Sequence, residues 1–255
     1  MEGEVAGEHP TYKKKTNKFT SIHLDNMTSN HKYVPDLDEV KEVIQGGKIG
    51  VTAMMCFFQS IASKKDKKIL CTNPLKVVKT NNKLQIRSLD IPIKTETKKI
   101  IIPVLIMGGQ ESSNHWMIIL VHRKRKETQI TLFDSLPTTQ KRTKINNLVL
   151  EYMRDKIRKQ PQNVGKPTHT AVDRTITQTN ELDCGAYVMG WVNNQVCKGQ
   201  LDLTKDTQTI RKRVFNHIVN NTRIHIPPTR IEKIIRNMEC GICCCCPCHQ
   251  NLEGP

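Results

Sequence analysis

The run from Ile100 to Met107, I-I-I-P-V-L-I-M, restricts the fold more than any other stretch of the chain. It has no polar face to offer to water, and Gly108-Gly109 end it, so it reads as a strand covered on both sides. Two further strands follow, H-W-M-I-I-L-V-H at 115–122 and T-Q-I-T-L-F at 128–133, joined by a charged turn at Arg123 to Lys126. A turn centred between Lys124 and Arg125 would set Met117 across from Leu132, Ile119 across from Ile130 and Trp116 across from Phe133. The same register puts His115 opposite Asp134, at the roughly 4.5–5.5 Å Cβ separation of directly paired residues.

Helical patterns surround these strands. Asp36 and Glu39 have capping-box spacing for a short helix that ends at Gly46-Gly47. Val51, Met54, Met55, Phe58, Ile61 and Ala62 then recur at helical spacing and predict a core helix. A short strand is expected near Leu75 to Val78. From Lys141 to Lys159 runs a basic amphipathic helix with Ile145, Leu148, Val149, Tyr152, Met153 and Ile157 on one face and charges read as a solvated surface. A strand over 170–177 leads into a loop and a helix from Cys184 to about Lys198. Helices over 207–219 and 229–238 follow. The expected class is α+β, a short central mixed sheet flanked by helices.

Composition narrows the setting. The 255 residues carry 40 Lys and Arg against 24 Asp and Glu, a net charge of +16, which asks for an acidic partner. Nucleic acid is one such partner, through basic clusters at Lys13–Lys15, Lys64–Lys68, Arg123–Lys126 and Arg211–Arg213. The first twenty residues lack an apolar signal core, and no apolar run approaches the roughly 18 residues of a membrane span. An intracellular address, nucleus or cytoplasm, is therefore expected. Six of the ten cysteines crowd between Cys240 and Cys248. Cys240 and Cys243 with Cys248 and His249 have the makings of a zinc site, but four successive cysteines cannot all reach one metal. A biased tail or surface thiols fit as well, and no metal is expected.

The chemistry concentrates in T-Q-T-N-E-L-D-C-G at 177–185. Cys184 opens an apolar helix, where unpaired N–H groups and the helix dipole favour the thiolate. Gly185 is expected to leave room beside the sulfur for a substrate backbone. Gln178, six residues earlier, can curl back to donate to an oxyanion. Alone, Cys184 would be one more buried cysteine. With His115 at one strand's start and Asp134 at its neighbour's end, the order His, Asp, Gln, Cys forms a cysteine-protease set.

On H-W-M-I-I-L at 115–120, L-F-D-S-L at 132–136 and Q-T-N-E-L-D-C-G at 178–185, the chain resembles the ubiquitin-like-protein proteases, the deSUMOylating cysteine proteases, with the adenoviral proteinase as a distant relative. The resemblance implies a papain-like α+β fold that works without a cofactor. It implies Cys184 as nucleophile, His115 as general base and acid, Asp134 as the residue orienting the imidazole, and Gln178 as oxyanion donor. Trp116 would cover a narrow channel for a Gly-Gly C-terminus. A ubiquitin-like modifier, SUMO-like, or its conjugates would be the partner, and the enzyme a monomer. The catalytic domain would span 35–225, after a disordered basic and polar tail at 1–34 and before a C-terminal helix and Cys-rich tail at 226–255. The family's second channel tryptophan is absent, its place read as Lys48-Ile49-Gly50-Val51. That absence keeps open a viral or mobile-element-type processing endopeptidase. Acyl transfer on the same fold and a catalytically silent binding module are the other readings.

Overall fold

A computed structural model describes residues 33, 35–65, 68–80, 83–87, 96–107, 114–124, 127–160, 167–197, 201–204 and 207–221. The expected helix at 229–238 and the Cys240–Cys248 cluster lie outside them, as does the polar tail before residue 33. Helix α1 (Leu37–Gln45) starts on Asp36, whose side chain accepts the Glu39 N–H, and stops at Gly46 with φ 84°. Glycine reaches that left-handed conformation without a Cβ penalty. Helix α2 (Val51–Lys65) buries Ala53, Met54, Phe57, Phe58 and Ile61. Val51, expected on its apolar face, is instead 37% exposed at the helix's first position.

Three short strands come next, β1 (Ile69–Cys71), β2 (Leu75–Thr80) and β3 (Lys83–Ile86), of which only β2 was foreseen. Then follow β4 (Lys99–Met107), β5 (His115–Arg123), β6 (Thr128–Phe133), α3 (Gln140–Arg158) and β7 (Pro167–Asp173). Helices α4 (Cys184–Cys197) and α5 (Thr207–Asn221) complete the described part. The strands form one mixed sheet in the order β3-β2-β4-β5-β6-β7, with β1 also pairing parallel to β4. β1 aligns with the first residues of β4 and β2 with its last, so the two share one edge. Among the described residues the mixed sheet has seven strands, the expected ones joined by β1 and β3. The additions are weakly patterned segments whose strand character comes from their neighbours rather than from their own periodicity.

Side chains alternate across β5. Trp116, Ile118 and Leu120 face a cluster built with α1, α2, α4 and α5. Met117, Ile119 and Val121 face a second cluster with Ile145, Val149, Leu150, Met153 and Ile157 of α3. The central strands are thus buried on both faces, as the unbroken apolar run of β4 requires. Each such Ile or Leu contributes about 1.5–3 kcal/mol. Among the described residues, no helix is long and apolar enough to cross a membrane.

The β5–β6 register differs from the expected one by two residues. Ile119 lies opposite Leu132 and Val121 opposite Ile130, and the Lys124 N–H donates to the Glu127 carbonyl at 2.9 Å. The chain therefore folds back one residue later than expected. An even shift leaves every side chain on its original face, so apolar pairing by itself could not choose between the two registers. Directly across from Asp134 this register would set Met117, not His115.

Candidate active site

His115 and Asp134 meet on a diagonal. Neighbours two residues out of register are about 7–8 Å apart at Cα, within reach of an imidazole and a carboxylate. His115 Nε2 lies 2.9 Å from Asp134 Oδ1. The carboxylate also accepts from the Leu136 N–H, from Asn146 Nδ2, and twice from the Arg142 guanidinium. It is 1% exposed. Burial by itself would raise its pKa, but the His115 hydrogen bond and the Arg142 charge outweigh burial and hold it well below the ordinary carboxylate range. An ionised carboxylate can only accept, so His115 Nε2 carries the proton and Nδ1 the lone pair. Burial lowers the pKa of the ring, Asp134 opposes that, and Arg142 adds to it, so the net shift is downward and the imidazole is neutral at neutral pH.

The next residue of β5 touches the thiol. The Trp116 backbone N–H donates to Cys184 Sγ at 3.5 Å, and Cys184 is the first residue of α4. The start of one strand therefore meets both the carboxylate and the sulfur. Cys184 is 4% exposed. Burial pushes its thiol up, while the N–H groups of Trp116 and Gly185 and the charges of Lys48 and Arg142 pull it down. The net direction is up, which corrects the expectation that the helix N-terminus would favour a resting thiolate. In the substrate-free protein desolvation wins, and the resting thiol keeps its proton.

Gly185 also has a different reason from the one expected. A Cβ there would come 2.9 Å from Ile49 Cβ and 3.2 Å from Met54 Cε. The space belongs to the protein's own core rather than to a substrate backbone. Ile49 also accepts the Trp116 indole N–H through its carbonyl at 2.9 Å. The segment that lacks the second tryptophan thus packs on the residue after Cys184 and anchors the remaining one, leaving Trp116 4% exposed.

β7 ends at Asp173, four residues before the expected limit, so Gln178 lies within the loop that leads to α4. Its backbone N–H donates to the Ser135 carbonyl at 2.7 Å, and the Ser135 hydroxyl donates to Gln178 Oε1 at 2.5 Å. Gln178 Nε2 donates to the Asn180 carbonyl at 2.5 Å. Asn180 Nδ2 in turn donates to Asp183 at 2.6 Å, and Asp183 receives the Arg211 guanidinium at 2.6 Å and 3.0 Å. Arg211 reaches on to the Val43 carbonyl at 2.9 Å and is 1% exposed. Burial tends to raise the Asp183 pKa, but Asn180, Arg211 and Thr207 bring it down. A chain of hydrogen bonds thus runs from Ser135, beside Asp134, through the whole loop to α5.

Sequence reasoning missed Arg142, Asn146, Ser135 and Arg211. A signal existed for the first two. The buried stripe of α3, Val149, Met153 and Ile157, extends back at helical spacing through Asn146 and Arg142, so both polar residues face inward. Arg211 had no such signal, because only the fold brings α5 against the start of α4. Trp191 is 3% exposed, stacks on Phe133 and donates to Asp173.

A mixed sheet with helices on both faces and a buried thiol at a helix N-terminus, beside a histidine–carboxylate pair, defines the class: a papain-like α+β cysteine protease. Residues 55–222 match the family model for the Ulp1 protease family, C-terminal catalytic domain, and the chain belongs to that family. It is a thiol protease. Among solved structures, it is similar to the SUMO protease Ulp1 with its catalytic cysteine oxidised to a sulfinic acid, at 18% identity over 75% of this chain and 85% of that one, with a TM-score of 0.50. A further match, at 16% identity over 72% and 82% with a TM-score of 0.49, is the C-terminal Ulp1 protease domain in complex with Smt3, the yeast orthologue of SUMO. A third is a protease of ASFV, at 11% identity over 71% and 70% with a TM-score of 0.40. No curated protein sequence matches the chain.

Proposed function

We propose that the enzyme cleaves after the C-terminal Gly-Gly of a ubiquitin-like modifier, SUMO-like, with Cys184 as nucleophile, His115 as base and acid, Asp134 orienting the ring and Gln178 as oxyanion donor. The observation that carries this reading is the start of β5, where the His115 ring bonds Asp134 at 2.9 Å and the adjoining Trp116 N–H lies on Cys184 Sγ at 3.5 Å. Cys184 Sγ attacks the carbonyl carbon of the terminal glycine as its proton passes to His115 Nδ1. The carbonyl oxygen becomes an oxyanion, facing N–H groups at the α4 start and the Gln178 amide. His115 then protonates the departing lysine amine, the C–N bond breaks, and a thioester remains. Water, deprotonated by His115, releases the modifier and restores the thiol. Trp116, anchored on Ile49, would wall the channel for the two glycines.

A second reading, a viral or mobile-element-type processing endopeptidase that uses the same residues, is favoured by Ile49 standing where a second channel tryptophan would be. A panel of ubiquitin-like modifiers ending in Gly-Gly-electrophile tests both. Covalent capture by one modifier, lost in Cys184→Ala, is expected. Capture by none, with cleavage of linear Gly-rich peptides that Cys184→Ala abolishes, would replace the first reading by the second. Neither capture nor cleavage would overturn both.

A further inference from the structure

Helix α3 carries basic residues along most of its length, and Lys141, Lys144 and Arg158 point to water. Arg142 does not. Its side chain is 11% exposed, and it grips Asp134 at two points, Nε to Oδ2 at 3.3 Å and a terminal nitrogen to Oδ1 at 3.1 Å. The same residue fixes the helix start, since its backbone N–H caps onto Thr139 Oγ1 at 3.1 Å. Asn146, one turn on, takes the remaining side of Oδ2 at 3.1 Å. Arginine suits this place because its planar fork matches a carboxylate and it keeps its charge when buried.

We propose that Arg142 is a positioning residue of the catalytic centre, a cationic clamp that holds Asp134 against His115 and neutralises its charge. This rests on the reading that Cys184 and His115 perform the chemistry.

The clamp resolves a conflict in the site. An unpaired buried carboxylate beside an imidazole orients the ring but also drives it toward imidazolium, and a protonated ring cannot accept a proton from a buried thiol. With the guanidinium on its far side, Asp134 orients the ring much as a neutral amide would. His115 then rests neutral, with the Nδ1 lone pair free to accept a proton. The groups that face the ring are Asp134 from the end of β6 and Arg142 from α3. Those that act on the sulfur are the Trp116 N–H from β5, the Gly185 N–H from α4, Lys48 between α1 and α2, and Arg142 again. One guanidinium therefore acts on carboxylate, imidazole and thiol together.

The test is the pH dependence of Cys184 alkylation by iodoacetamide in the full chain, followed by mass spectrometry of the Cys184 peptide, for wild type, R142Q and R142K. R142Q keeps hydrogen-bonding capacity but removes the charge. Its alkylation midpoint should move up by about one pH unit, the scale of one nearby charge. R142K keeps the charge and loses the fork, so its midpoint should stay near that of wild type while capture by a Gly-Gly-electrophile probe slows. A role confined to folding would change thermal stability in both variants and leave both midpoints in place. An R142Q midpoint superimposed on wild type overturns the proposal, and so does an R142K midpoint displaced as far as that of R142Q. Should R142K fail to fold, the R142Q midpoint decides alone; should R142Q fail, R142K decides by probe capture, slower than wild type at an unmoved midpoint supporting the clamp and capture as fast as wild type overturning it. A wild type that no Gly-Gly probe captures would instead count against the function proposed above, and the midpoints would still report on Arg142.

Discussion

The Ser135 hydroxyl donates to Gln178 Oε1 at 2.5 Å, so the residue after Asp134 fixes which way the Gln178 amide points. With Oε1 engaged, Nε2 turns to the Asn180 carbonyl and keeps a second N–H to donate. Ser135→Ala frees the amide to turn over and removes a hydrogen bond of about 1–1.5 kcal/mol, which corresponds to a roughly tenfold fall in kcat with KM little changed. Gln178→Ala, which deletes the proposed oxyanion donor, should cost about 10²–10³ in rate. Steady-state kinetics of the double variant provide the check. It should be no slower than Gln178→Ala alone, and additive losses would mean that Ser135 acts by another route.

Buried ion pairs are costly to break from one side. Arg211→Met leaves the Asp183 carboxylate facing α5 with its strongest partner gone and strands the Val43 and Leu182 carbonyls. The expected loss is about 3–5 kcal/mol of stability. Urea unfolding of the two proteins measures it. A change under 1 kcal/mol would show that the pair contributes little beyond its geometry.

Acid should weaken the fold from near-neutral pH downward. His115 is held below its ordinary 6.5, so the unfolded chain takes up a proton there before the native protein does. Its contribution is present above about pH 6.5 and is lost as pH falls toward the folded value. Asp134 and Asp183, both depressed, act with the same sign at lower pH: their contribution is present above the unfolded carboxylate pKa and is lost as pH falls through the folded one. Melting temperature measured from pH 8 to pH 3 should therefore fall in two stages, and Asp134→Asn should flatten the lower one. A melting temperature that rises on acidification would contradict all three shifts.

Gly185→Ala places a Cβ 2.9 Å from Ile49 Cβ, closer than real Cβ contacts come. Ile49 has to give way, and with it the carbonyl that holds the Trp116 indole. Overpacking of this kind costs about 1–3 kcal/mol. Activity should fall together with thermal stability, and Trp116 fluorescence should shift. Unchanged stability and fluorescence would mean that the Ile49 segment yields freely.

Much of the site could be read from the chain, because it lies at the ends of elements whose periodicity is strong. β5 and β6 run from His115 and to Phe133 within a residue of their expected limits, and α4 begins on Cys184. Register was a different matter. The turn hydrogen bond between Lys124 and Glu127 sets it, and a shift of two residues leaves the apolar pattern unchanged. The weak strands β1 and β3 were equally hard to see, since they gain their hydrogen bonds from β4 and β2.

The sequence by itself determined the class of fold and pointed to the residues proposed to carry the chemistry, because apolar period and polar residue type are local properties that survive without coordinates. Only the tertiary structure decided how those residues are held. Arg142 on Asp134, Ser135 on Gln178, Arg211 on Asp183 and Ile49 on Gly185 join segments from 8 to 136 residues apart. Their strength comes from water being excluded around charges and close contacts, and exclusion exists only once both faces of the sheet are covered.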